Sequence, residues 1–162
     1  MSNQAANQAT VERISDRELI ASRVISGTAA VVYEAWSKAE LFRQWWVPKS
    51  APINLESCEI DMRTGGTYRL VFSAGGQSMA FFGKYLDVSA ADRMSWTNEE
   101  GGEENASITT VTFQERSGVT LVTVSELYPT KDALDEAFTS GSSGALPVQL
   151  EQLEEFIVAR KR

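Results

Sequence analysis

The chain has 162 residues, of which 43% are hydrophobic and 23% charged, and a net charge of −7. That balance fits one globular domain with a real core, while its uniform acidity repels phosphate backbones and anionic membrane surfaces, so nucleic acid is not expected as a partner. Histidine is absent and cysteine occurs once, at Cys58, which excludes His-based nucleophilic triads, the commonest zinc ligand and an internal disulfide.

Residues 1–15 are rich in Gln, Asn and Ala, which predicts a loose tail ahead of a single domain over 16–162. The tail has no apolar segment of the signal-peptide kind, and no run approaches the ~20 apolar residues of a membrane span. A cytoplasmic protein without membrane insertion is expected. Glu18 to Ile25 reads as a first strand, with Leu19, Ala21, Arg23 and Ile25 on one face. Gly27 ends it. Thr28 can cap a helix whose Val31, Val32, Ala35 and Trp36 make one apolar stripe. Ser37-Lys38-Ala39-Glu40 has the spacing of a capping box, predicting a second short helix over Ala39 to Trp46, stopped by Pro48.

The period then changes to two. Leu55 to Asp61, Thr67 to Ser73, Ser78 to Val88, Arg93 to Asn98, Ala106 to Glu115 and Val119 to Tyr128 read as successive strands. Thr64-Gly65-Gly66, Gly75-Gly76 and Ser117-Gly118 supply turns, and Gly83 inside the third of these strands suggests a bulge. Lys131 to Phe138 is a short helix or turn, broken at Ser140 to Gly144. Leu146, Leu150, Leu153 and Ile157 then form a helical stripe opposite Gln149, Glu151, Gln152 and Glu154, with Pro147 tolerated in the first turn. The order is strand, two short helices, six strands and a long helix. An antiparallel sheet of about seven strands, curled so that the C-terminal helix covers its concave face, is therefore expected: an α+β domain with an internal hollow closed by the short helices.

Several segments carry a resemblance. Asp16-Arg17-Glu18-Leu19, Val32-Tyr33-Glu34-Ala35-Trp36 and the run from Glu40 to Pro48 look like the start of the heat-shock protein 90 ATPase activator homologue-like family. Asp61 to Tyr68 resembles that family's D-x-R-x-G-G-x-Y turn, and Phe82-Gly83-Lys84-Tyr85 and Arg93-Met94-Ser95-Trp96 match in kind and spacing. The resemblance spans about residues 16–158. It implies a helix-grip fold of the START-like, birch-pollen-allergen-like superfamily, with a cavity for lipids or other hydrophobic small molecules. The family's namesake co-chaperones use this domain beside a second one, which this sequence lacks, so chaperone activation is not expected. Gly144-Ala145 stands where Gly-Trp is common, and Thr28 stands near where Ala-Pro is usual; the missing tryptophan implies a wider or reshaped pocket mouth.

The candidate cavity residues are Trp46, Phe72, Phe81, Tyr85, Trp96, Val122, Val124, Glu126, Leu146 and Leu150. Tyr68, Leu70 and Phe72 share one strand face, and Val122, Val124 and Glu126 another. Trp45-Trp46 either stack on a flat ligand or anchor the short helix on the sheet. Asp61 and Arg63 flank a Gly-Gly turn and read as a structural ion pair rather than a head-group site. Glu126 either points with Val122 and Val124 into apolar space, where desolvation would raise its pKa, or lies at the strand end in solvent. Cys58 reads as a small buried apolar residue. The acidic loop Glu99 to Glu104 lacks the ligand spacing of a calcium loop, and neither a metal nor a cofactor is expected. The leading reading is non-enzymatic binding of a hydrophobic small molecule or lipid. The alternatives are a cyclase- or hydrolase-like enzyme using Glu126, Tyr85 or Asp61, and a co-chaperone-like interaction module. An apolar strip on an edge strand would also suit a homodimer.

Overall fold

The computed structural model describes residues 10–100, 102–139 and 145–160. Eight antiparallel strands form one sheet, which is β1 (Thr10–Arg13), β2 (Glu18–Ile25), β3 (Asn54–Ile60), β4 (Thr67–Ala74), β5 (Gln77–Ser89), β6 (Arg93–Asn98), β7 (Ser107–Arg116) and β8 (Val119–Leu127). The spatial order is β1-β2-β8-β7-β6-β5-β4-β3, so β3 to β8 form a meander of hairpins and β2 returns to pair with β8. The first strand lies within the stretch whose composition suggests a tail: Thr10 to Arg13 pair with Ser22 to Leu19. Its few side chains give no period to read, and the partner strand supplies the order. Residues 1–9 of the expected tail lie outside the described residues.

The hairpins follow the turn chemistry. Ala74 pairs with Gln77 across Gly75-Gly76, and Arg116 with Val119 across Ser117-Gly118. Both central residues of each turn have positive φ, as a two-residue turn matching strand twist requires. Gly83 causes no register slip, for it pairs with Tyr68 in sequence, and the shift in β5 falls between Tyr85 and Asp87. What Gly83 permits is close approach, since a Cβ there would overlap the Thr97 carbonyl oxygen.

Helix α1 (Ala29–Ser37) begins as the sequence indicates, with the Thr28 hydroxyl accepting from the Val31 amide. The capping box does not form. Ser37 is the last residue of α1, and its hydroxyl turns back to the Glu34 carbonyl at 3.4 Å. Helix α2 is only Ala39–Phe42, after which the chain tightens into turns, with Gln44 N bonded to Leu41 O and Trp45 N to Phe42 O. Trp45 is 1% exposed and its indole donates to the Ala35 carbonyl at 3.1 Å; seating it there ends the helix early. Helix α3 is Lys131–Thr139 and α4 is Ala145–Arg160. The expected break at 140–144 lies outside the described residues.

The core has two parts. Over β2, β7 and β8, the concave face is filled: Leu19, Ala21, Val111, Phe113, Val122 and Val124 pack in one cluster with Leu150, Leu153 and Ile157 of α4. Over β4 to β6, the helix does not reach the sheet, and a hollow remains.

Two buried residues of α4 depart from the sequence reading. Gln149 and Gln152, expected opposite the apolar stripe, are each only 7% exposed. Gln152 donates to the carbonyls of Trp45 and Val47 at 2.7 and 2.9 Å and accepts from the Lys49 amide at 2.8 Å. Gln149 donates to the Trp46 carbonyl at 3.1 Å. The two amides satisfy backbone groups that the turns after α2 leave unpaired, which makes their burial favourable.

Candidate functional site

The hollow is a cavity of about 530 Å³. The alternation of β4 and β5 builds one wall, because Tyr68, Leu70 and Phe72 face inward together and so do Phe81 and Tyr85. Trp96 of β6 adds to it, as does Ile60 at the end of β3. The opposite wall comes from the short helices and the turns after them, through Trp36, Phe42, Trp46, Val47 and Pro48, and from Leu146 and Gln149 of α4. The rings interlock. Phe42 stacks on Trp46 at 4.7 Å, Trp36 meets Trp96 at 6.0 Å, and Phe72 meets Phe81 edge-on at 5.3 Å. Ala145, where tryptophan is common in the resembled family, also lines the cavity, while Gly144 beside it lies outside the described residues.

The polar groups gather where β6, β7 and β8 end. Asn98 is a hub there. Its amide donates to Ser107 Oγ at 3.1 Å and to Thr109 Oγ1 at 2.9 Å, and its oxygen accepts from Trp96 Nε1 at 3.3 Å. The Tyr68 hydroxyl lies 2.9 Å from both that oxygen and the Thr97 carbonyl. These bonds fix the Tyr68 and Trp96 rings. Glu126, paired in register with Leu19 on one side and Thr109 on the other, points into the cavity. The Tyr128 hydroxyl donates to Glu126 Oε1 at 2.8 Å. Burial pushes the Glu126 carboxyl above its ordinary range; the Tyr128 bond opposes this and the nearby Glu100 carboxylate adds to it. Burial likewise raises Tyr68, Tyr85 and Tyr128, so these hydroxyls stay protonated.

Seven of the ten residues chosen from sequence line the cavity: Trp46, Phe72, Phe81, Tyr85, Trp96, Glu126 and Leu146. Val122, Val124 and Leu150 do not. They are at most 1% exposed and lie in the filled part of the core, where α1 packs on β7 and β8 and α4 on β2. The Trp45-Trp46 alternative resolves by position, with Trp45 in the core and Trp46 on the cavity. Asp61 and Arg63 form the turn ion pair, both exposed, with Arg63 Nε 2.9 Å from the carboxylate. Cys58 is half-buried, and burial raises its thiol pKa to about 11. Sequence reading missed Asn98, Tyr128 and Gln149 as cavity residues. Tyr128 was within reach of the period-two rule, being two residues beyond Glu126; Asn98 stands in the same relation to Trp96.

Among the described residues no cluster could hold a metal ion, and no helix is long and apolar enough to cross a membrane. No curated protein matches the chain significantly. Solved structures match it along nearly its whole length. A protein from Nitrosomonas europaea is 22% identical with a TM-score of 0.82, covering 92% of this chain and 99% of its own. One from Rhodobacter sphaeroides is 16% identical with a TM-score of 0.84, covering 94% and 99%. An AHSA1-like protein from Aeromonas hydrophila is 17% identical with a TM-score of 0.65, covering 88% and 94%. At these identities the likeness establishes the fold, an α+β helix-grip domain. The family model described as activator of Hsp90 ATPase homolog 1-like protein matches residues 26–157, a span that runs from the entry into α1 to the last turns of α4, and the chain belongs to that family.

Proposed function

We propose that the chain binds a hydrophobic small molecule or lipid in this cavity without transforming it. The observation that carries the reading is the make-up of the walls, a hollow of about 530 Å³ lined by interlocked aromatic rings with a few polar groups gathered at one end. Ligand sites are built this way, with apolar walls supplying affinity and a few placed polar groups setting orientation. Trp46, Phe72, Phe81, Tyr85, Trp96 and Leu146 would contact the apolar body, and Glu126 the polar end. Val122, Val124 and Leu150 support this wall from the filled core behind it. Native mass spectrometry of freshly purified protein, followed by organic extraction, tests the reading. A reproducible co-purified apolar molecule is expected. Protein that carries none, and whose Tm is unmoved by a broad set of apolar probes, overturns it.

A further inference from the structure

We propose that the cavity selects by charge, taking a hydrophobic molecule that bears a protonated amine, anchored on Glu126, over the matching carboxylate. The inference rests on the reading of the cavity as an apolar binding site and adds the chemistry of the ligand's head group.

The first support is the inventory of charge. The described residues lining the cavity include two carboxyls, Glu126 and Glu100, and no Lys or Arg; the sequence has no histidine. Basic side chains on segments next to the lining are engaged elsewhere: Arg43 donates to the Leu55 carbonyl and Lys49 pairs with Glu155. Arg17 is exposed and donates to the Tyr128 carbonyl at 2.8 Å, and Lys84 pairs with Glu103 at 2.8 Å. An anionic head group entering here would meet like charge with no cation to offset it, in a setting where water screens poorly; the one buried side-chain donor without a partner among the described residues, Trp36 Nε1 on the cavity wall, is neutral.

The second support is the hydrogen-bond balance at the polar end. The donors of Tyr68, Trp96, Asn98 and Tyr128 are already committed, to Thr97 or Asn98, to Asn98, to Ser107 and Thr109, and to Glu126 respectively. On the acceptor side, Glu126 Oε1 takes the Tyr128 proton and no described residue donates to Oε2. One carboxylate oxygen is thus held in place and the other is open. A half-buried carboxylate with one oxygen open to an apolar cavity accommodates a donor there, and an ammonium group supplies both donor and countercharge.

The test uses three probes with one apolar chain: decylamine, 1-decanol and decanoate, each below its aggregation limit, titrated at neutral pH against tryptophan fluorescence and Tm. The wild-type protein is expected to bind the amine at least about ten-fold more tightly than the alcohol, with decanoate weakest. In Glu126→Gln, the amine should lose that advantage and bind no more tightly than the alcohol binds the same variant. If the alcohol binds and the amine does no better, the charge proposal fails and apolar binding stands. The charge proposal fails equally if Glu126→Gln keeps the amine preference, which would then reflect only the overall net charge. If none of the three probes binds, the apolar-site reading fails and the charge selection falls with it. If Glu126→Gln folds poorly, the salt dependence of the wild-type preference decides: a preference that persists at high salt is held at close range in the cavity, and one that vanishes reflects the overall net charge and overturns the proposal.

Discussion

Tyr128 donates its hydroxyl proton to Glu126 Oε1 across 2.8 Å, from a position two residues further along the same strand direction. This bond is the one interaction that lowers a carboxyl otherwise raised by burial and by Glu100. A carboxyl whose folded pKa is raised binds more protons folded than unfolded. Its contribution to stability is therefore fully present below the unfolded value and is lost as pH rises through the folded one. Glu126→Gln cannot ionise, so its stability relative to wild type should increase as pH rises above the ordinary carboxylate range. Tyr128→Phe should raise the Glu126 pKa further and make the loss at neutral pH larger. Urea titrations of the three proteins from about pH 4 to pH 8 check both; a wild-type to Gln difference that is flat with pH rejects the buried ionisation.

Gln152 ties α4 to the turns that carry Trp46 and Val47 into the cavity wall. Gln152→Leu keeps the volume but strands two carbonyls and an amide, so a loss of about 2–3 kcal/mol is expected in urea unfolding. Apolar-probe affinity should fall as well, because Trp46 loses its support. Gln149→Leu frees only the Trp46 carbonyl and should cost less than half as much.

Neighbouring tryptophans should part company under mutation. Trp45→Ala removes a ring that is 1% exposed and should cost about 3–5 kcal/mol. Trp46→Ala removes a half-buried ring on the cavity side and should cost no more than about half of that, yet weaken apolar probes several-fold more than it destabilises the fold. Calorimetry paired with probe titration separates the two effects. Equal stability losses would mean that Trp46 is as much core as Trp45.

Gly83→Ala places a methyl into the space held by the Thr97 carbonyl oxygen. Backbone cannot rotate aside as a side chain can, so β5 and β6 must separate, at about 2–4 kcal/mol. Gly75→Ala meets no neighbouring atom and should cost only the ~1 kcal/mol of a left-handed backbone. Comparing the two by urea unfolding isolates close approach from turn conformation.

Much of this fold could be read from sequence because its signals are local. Period-two runs bounded by Gly-Gly or Ser-Gly mark six successive strands, and the 3.6-residue stripe of Leu146, Leu150, Leu153 and Ile157 marks α4. The misses share a physical cause, which is partners distant in sequence. Gln152 looks like a surface residue because the carbonyls it serves lie 105 and 107 residues away. Ser37 fits a capping box until competition from the Glu34 carbonyl decides its hydroxyl's direction. Val122 and Val124 have the correct inward phase, and the seating of α1 on β7 and β8, with α4 beside it on β2, determines that they meet helix rather than cavity. The phase of Glu126 was legible; what shares its surroundings was not, since Glu100 reaches the same end from another loop.

The return of β2 to pair with β8 makes one seam of the sheet unlike the others. Each hairpin from β3 to β8 closes between neighbours in sequence, but Leu19 meets Glu126 with the whole meander lying between them in the chain. The loop this pairing closes is the longest in the sheet, so it carries the largest closure entropy. The strand beside Glu126 is thus held to it by the least local pairing of the sheet, and the polar end of the hollow is built on the seam where the last strand of the meander meets the strand that precedes it in the chain.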